Sequence, residues 1–162
     1  MHYLLFEGKI MNDLSGLYKE VILECARDPH GKKENLEGEA VGAQTGCFLA
    51  SGFNPSCGDE VEMKVTVEGE RIKEVSWKGE GCAICTASLS IMTDLVTGKT
   101  KKEALCLYSD FLKMMDSRGE GEAPSSLKEA VAFQGVAKFP MRIKCALLGW
   151  TTLKEALKGE EK

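Results

Sequence analysis

The chain is poor in several things. It has only four prolines and two histidines, and aromatic residues make up 7% of its 162 positions. No apolar run approaches the roughly 20 residues needed to span a bilayer, so a membrane role is not expected. No block of lysine or arginine runs along it, and 21 basic against 25 acidic side chains leave a net charge of −4. A nucleic-acid groove, which sets clustered cations against phosphate, is therefore not expected. Residues 1–10 hold a single short apolar stretch, Tyr3 to Phe6, followed by Glu7 and Gly8 with no small-residue cleavage pattern. That reads against a secretory signal and for a cytoplasmic protein. Met11 is a second possible start, and residues 1–13 are expected to be a poorly ordered extension ahead of one domain over residues 14–159.

What is abundant is thiol. Apolar residues at 43% and charged residues at 28% are ordinary for a globular domain of this length. Seven cysteines are not, and their odd number rules out complete internal pairing. Outside an oxidising compartment, such a count points to metal binding or redox chemistry more than to disulfide stapling.

The hydrophobic spacing Leu14, Leu17, Tyr18, Val21, Ile22, Cys25 predicts an amphipathic helix, ended by Asp28-Pro29. Residues 30–56, with five glycines and little periodicity, read as irregular. Val61, Met63, Val65 and Val67 alternate with polar residues, and a second strand over Ile72 to Lys78 follows the turn Glu68-Gly69-Glu70, making a hairpin. Gly79-Glu80-Gly81 is expected to break that strand. Helices are expected from Cys82 to Thr97, closed by Gly98, and from the capping box Thr100/Glu103 to about Met115. Ser117 to Pro124 reads as a loop, Ser126 with Glu129 as the start of a short helix, and Pro140 as the first position of a last helix lined by Ile143, Leu147, Trp150, Leu153 and Leu157. The fold class is α+β: a small antiparallel sheet of about three strands packed against an N-terminal helix and several C-terminal helices.

Three thiols stand where chemistry is plausible. Cys57 lies in the turn Asn54-Pro55-Ser56-Cys57-Gly58-Asp59, which can present its sulfur and the Asp59 carboxylate together. Cys82 lies at a helix N-terminus, where unpaired N–H groups and the dipole favour thiolate. Cys145 lies in the first turns of the last helix. Cys82 follows Cys57 by 25 residues and Cys145 follows Cys82 by 63, which is no zinc-finger spacing. Three thiolates and a carboxylate suit tetrahedral Zn²⁺. Small buried apolar roles, the commonest fate of a free cysteine, are the alternative.

Several blocks then carry a resemblance: Leu17-Tyr18 with Asp28-Pro29, Asn54 to Asp59, Gly79-Glu80-Gly81-Cys82-Ala83-Ile84 with Ala87-Ser88, Gly98-Lys99-Thr100, and Gly135 through Ala146. In their order the sequence resembles, over about residues 14–157, the iron–sulfur assembly family that includes IscU and the NifU N-terminal domain. It is most similar to the SufU branch. Extra length falls near Met115 to Gly135, and Lys144 precedes the last cysteine where IscU-type scaffolds carry histidine.

The resemblance implies a zinc site of Cys57, Asp59, Cys82 and Cys145. It also implies sulfur transfer from a SufS-like cysteine desulfurase and hand-on to downstream iron–sulfur assembly proteins. Cys57 would be the sulfur acceptor, freed when the docked desulfurase supplies a replacement ligand. Arg142 would pair with Asp59 or orient a persulfide, or else form a plain surface ion pair. The alternatives are a scaffold carrying a transient [2Fe–2S] cluster or iron on the same thiolates, and a structural zinc domain with an interaction role.

Cys85 stands where the family commonly has serine. It could be an alternative ligand, a redox partner of Cys82, a second sulfur acceptor or a neutral replacement. Cys47 reads as an incidental loop cysteine or a mobile extra thiol. Cys25 and Cys106 read as helix packing, as Ile91, Met92, Leu95, Phe111, Met114 and Met115 read as core. His2 and His30 are given no role.

Overall fold

The computed structural model of the chain describes Gly16 and residues 18–36 and 45–159. Helix α1 covers residues 18–27. Val21, Ile22, Cys25 and Ala26 form its inner stripe against the core, and the helix stops before Pro29, as the periodicity predicts. Leu14, Leu17, His2 and the N-terminal extension lie outside the described residues.

Three antiparallel strands follow in the order β1 (Thr45–Asn54), β2 (Asp59–Glu68), β3 (Arg71–Glu80). The predicted hairpin is β2–β3, turned at Gly69, whose φ of 63° suits glycine. Its inner face is Val61, Met63, Val65 and Val67 against Ile72, Val75 and Trp77. Ile72 and Val75 break strict alternation because Thr66 pairs with Glu74 while Val67 pairs with Ile72. Lys73 is thus the extra residue of a bulge.

Two expectations for this region are corrected. Residues 30–56 are not irregular throughout, since β1 occupies Thr45–Asn54 in continuous register with β2 from Thr45↔Glu68 to Asn54↔Asp59. Residues 30–33 are also tied to β3: Trp77 N donates to Gly31 O at 2.9 Å and Lys33 N donates to Trp77 O at 2.8 Å. Nor do Gly79 and Glu80 break β3. At Gly79, φ is 146° and any Cβ would collide with the Glu60 carbonyl, so glycine lets the strand continue across β2.

The helices cover one face of the sheet. Helix α2 (Ala83–Val96) is buried nearly all round, and α3 spans Lys101–Asp116, with Thr100 Oγ1 accepting from Glu103 N at 3.1 Å as the capping box predicts. Helix α4 (Pro140–Lys158) starts at Pro140 as expected. It packs closely on α2, where a Cβ on Gly149 would come within 2.5 Å of Leu89, and on β1, where a Cβ on Gly52 would strike Thr152.

The short helix expected from Ser126 is instead a run of 3₁₀ turns over Ser125–Lys138, kinked at Lys128 (φ 48°, ψ −121°). Ser126 does not cap it, because its hydroxyl donates to Asp110 of α3 at 2.7 Å. Leu127, Ala130 and Phe133, buried at intervals of three, match the 3₁₀ repeat. Phe133 meets Phe111 edge-on at 5.9 Å, and Phe111 stacks on Trp150 at 4.8 Å.

Candidate metal centre

One end of the molecule gathers the connection between β1 and β2, the start of α2 and the start of α4. The four connecting residues 55–58 form a tight turn. Gly58 N donates to Asn54 O at 2.9 Å, Ser56 N donates to Asn54 Oδ1 at 3.2 Å, and Gly58 takes φ 70°. The turn leaves Cys57 exposed at its tip, while Asp59, first residue of β2, is 1% exposed. Cys145, one turn into α4, is completely buried.

The ligand atoms of Cys57, Asp59 and Cys145 all lie within 4.8 Å of one another, and the Cys145 thiol donates to Cys57 Sγ at 3.1 Å. Cys82 is not a member of that closest group. It is the N-cap of α2, half-buried, and its backbone N–H donates to Asp59 Oδ1 at 2.9 Å. Its thiol is nonetheless one of the contacts that act on Cys145.

Asn54 completes the arrangement. It is 5% exposed, and its amide donates to Asp59 Oδ2 at 3.3 Å and reaches Cys145 Sγ at 3.8 Å. In the sequence Asn54 is marked only as the first residue of the Asn54–Asp59 block, with no role of its own. An Asn-Pro turn five residues before a carboxylate, able to hold the turn through its side chain, was the available signal.

Burial, followed by contacts with Cys57, Asp59 and Cys82, raises the pKa of the Cys145 thiol well above its ordinary value. Burial, followed by the negative field of Asp59, Cys82 and Cys57, pushes Cys85 up to about 12. Both shifts favour the protonated thiol over the thiolate. Two sulfurs and a carboxylate already converging, with a third thiol beside them, are donors for a borderline-soft divalent ion such as zinc or iron, not for magnesium or calcium.

The remaining thiols separate clearly. Cys85, on the first turn of α2, is 2% exposed. Cys47 is not a loop cysteine: it is buried in β1 beside Thr66, seven residues and about 23 Å of strand from Asn54. Cys25 packs as expected, but Cys106 is exposed on α3 and does not. Arg142 is exposed and lines a groove with Lys19, Ile22, Ile84 and Phe139. It forms no ion pair with Asp59, whose two oxygens are occupied by Cys82 N and the Asn54 amide. His30, given no role, donates through Nδ1 to Asp94 Oδ2 at 2.7 Å.

A three-stranded meander backed by helices, with a cysteine–aspartate–cysteine cluster at one end, defines a thiol-based metal-binding α+β domain. The chain belongs to the NifU-like N terminal domain family, whose pattern it matches over residues 17–158, and with it to the IscU and SufU scaffold proteins of iron–sulfur cluster assembly. It is 39% identical over 150 residues to the iron–sulfur cluster assembly scaffold protein IscU of Streptococcus pyogenes serotype M1, covering 91% of this chain and 87% of that one. It is 34% identical over 149 residues to the zinc-dependent sulfurtransferase SufU of Bacillus subtilis strain 168, covering 92% and 95%. Among solved structures it is similar to a protein assigned as an iron–sulfur assembly scaffold of the SUF system of Fervidobacterium islandicum AW-1. The TM-score there is 0.71 at 38% identity, covering 86% of this chain and 95% of that one. No helix among the described residues is long and apolar enough to cross a membrane.

Proposed function

We propose that this protein binds one zinc ion through Cys57, Asp59, Cys82 and Cys145 and accepts persulfide sulfur on Cys57 from a cysteine desulfurase. The observation that carries the reading is the convergence of Cys57, Asp59 and Cys145 within 4.8 Å, with Cys82 bonded through its backbone to the same carboxylate. When bound, zinc holds the sulfurs as thiolates and, being redox-inert, shields them from oxidation.

The chain's own residues divide the remaining work. Asn54 orients Asp59 and Cys145 from within the core. Cys82 and Cys145 sit on helices, whereas Cys57 sits on an exposed turn and is the sulfur free to move. Released as thiolate, Cys57 attacks the terminal sulfur of the partner's persulfide. A new S–S bond forms on Cys57, the partner's S–S bond breaks, and the partner cysteine leaves as thiolate, with no net oxidation. Arg142, exposed in the first turn of α4, meets the incoming persulfide or the partner in this reading and does not hold Asp59.

The test is mass spectrometry of the chain after incubation with desulfurase and cysteine. One added sulfur on Cys57 is expected. Persulfide of equal yield in Cys57→Ala defeats the assignment. A second reading, a transient [2Fe–2S] cluster on the same thiolates, is favoured by the relative named as an IscU scaffold. Visible absorption from sulfide-to-iron charge transfer after reconstitution would establish it over the first.

A further inference from the structure

Cys85 has no part in the site as described so far, yet its placement is unusual. Its side chain is 2% exposed, and among the described residues its thiol has no hydrogen-bond partner. It sits three residues after the N-cap Cys82, in the first turn of α2. The gap in front of it is kept open by Gly81. A Cβ there would lie 3.0 Å from Cys85 Sγ and 3.3 Å from Asp59 Oδ1, so the sulfur and the carboxylate border the same small space. Cys85 nevertheless falls outside the set of donors that are mutually within 4.8 Å. A buried, unpartnered thiol facing a metal-ligating carboxylate across a side-chain-free gap is a donor held in reserve.

We propose that Cys85 is an internal replacement ligand, which binds the metal when Cys57 leaves to carry sulfur. The inference rests on the metal site proposed above and assigns to this chain itself the donor that would otherwise have to come from the partner. The exchange balances without redox change. Cys57 departs with its electron pair as thiolate. The Cys85 thiol gives up its proton to solvent, and its sulfur takes the vacated position. Asp59, Cys82 and Cys145 stay bound, so the ion remains four-coordinate with three sulfurs throughout. The arrangement also explains a glycine at 81, since any side chain there would fill the path between Cys85 and the site.

The test uses Co²⁺ as the probe, because the intensity of its thiolate charge-transfer band counts bound sulfurs. The full chain and Cys57→Ala are loaded without any partner protein. The expected result is that Cys57→Ala keeps the full three-sulfur band, that Cys57→Ala/Cys85→Ser loses about one third of it, and that Cys57→Ala/Cys106→Ser does not. A Cys57→Ala band already reduced by one third, unchanged by the Cys85 substitution, overturns the proposal while leaving the metal site intact. A full chain that binds no Co²⁺ with thiolate bands defeats the underlying site reading instead.

Should the double variant fold poorly, X-ray absorption of zinc-loaded Cys57→Ala counts sulfurs with no second substitution. Three at roughly 2.3 Å support the reserve ligand, and two contradict it.

Discussion

Helix α4 runs between two differently built ends of the molecule. At its start, Cys145 is buried among polar partners, and the surrounding surface exposes large apolar side chains: Phe139 at 61%, Met141 at 57% and, from β1, Phe53 at 61%. A few turns on, Trp150 is fully buried and stacked on Phe111, and Leu153, Ala156 and Leu157 continue a conventional core. The first end places polar groups inside and apolar groups outside, and the second does the reverse. One end is therefore organised for binding and the other for stability, with a single helix tying the sulfur at one to the packing at the other.

The largest expected effect breaks the stable end. Trp150→Ala removes a fully buried ring and its stacking partner, and should cost about 3–5 kcal/mol in urea unfolding. It should do so in the metal-free protein as much as in the loaded one.

Next is Asn54→Ala, at the binding end. It leaves Asp59 Oδ2 and Cys145 without their shared donor, with an expected loss of about 1–3 kcal/mol. Zinc affinity should fall by roughly 10- to 100-fold, because outer-shell partners orient ligands. Equal zinc retention in a chelator competition would remove Asn54 from the site.

Phe139→Ser sharpens the contrast further. At 61% exposure its loss should change stability by less than about 0.5 kcal/mol, while weakening the proposed complex with a cysteine desulfurase in a pull-down or titration. A large loss of stability with unchanged binding would mean that this apolar rim serves folding.

The smallest effect is a pH dependence at the exposed His30–Asp94 pair. The Asp94 carboxylate, through its hydrogen bond and charge, raises the pKa of His30 above its ordinary value. The stabilising contribution is complete below the unfolded value of about 6.5 and is lost as pH rises through the higher folded value. Urea midpoints compared below pH 6 and above pH 8 should therefore drop slightly more for the native chain than for Asp94→Asn. The pair is exposed and screened, so the difference should be small.

How much of this was legible depends on whether inward positions carry large apolar residues. The β2–β3 hairpin, α2, α3 and α4 were readable because their periods and caps are strong: Val61 to Val67 alternate, Thr100 caps, and Pro140 starts a helix. Strand β1 was hidden because its pattern is inverted. Its inward positions include Ala50, Gly52 and Asn54, kept small or polar for α4 and the site, while the large residues Leu49 and Phe53 face outward. The short helix expected from Ser126 is there as 3₁₀ turns, but the serine followed by a glutamate that looks like its cap is not one, since Ser126 serves Asp110. At the site, the turn could suggest Cys57 with Asp59, and the helix start could suggest Cys82. Separations of 25 and 63 residues gave no means of bringing Cys145 to them. That convergence was implied by family resemblance, and the structure supplies Asn54 as the residue holding it.

Cys82 is the donor that most directly tests a four-ligand centre, because it alone of the four lies outside the closest cluster. The decisive measurement is zinc affinity by competition with a chromophoric chelator for Cys82→Ser beside Cys47→Ser, a buried thiol some 23 Å of strand away. The account predicts a loss of more than about tenfold for the first and none for the second. Wild-type affinity in Cys82→Ser would contradict it.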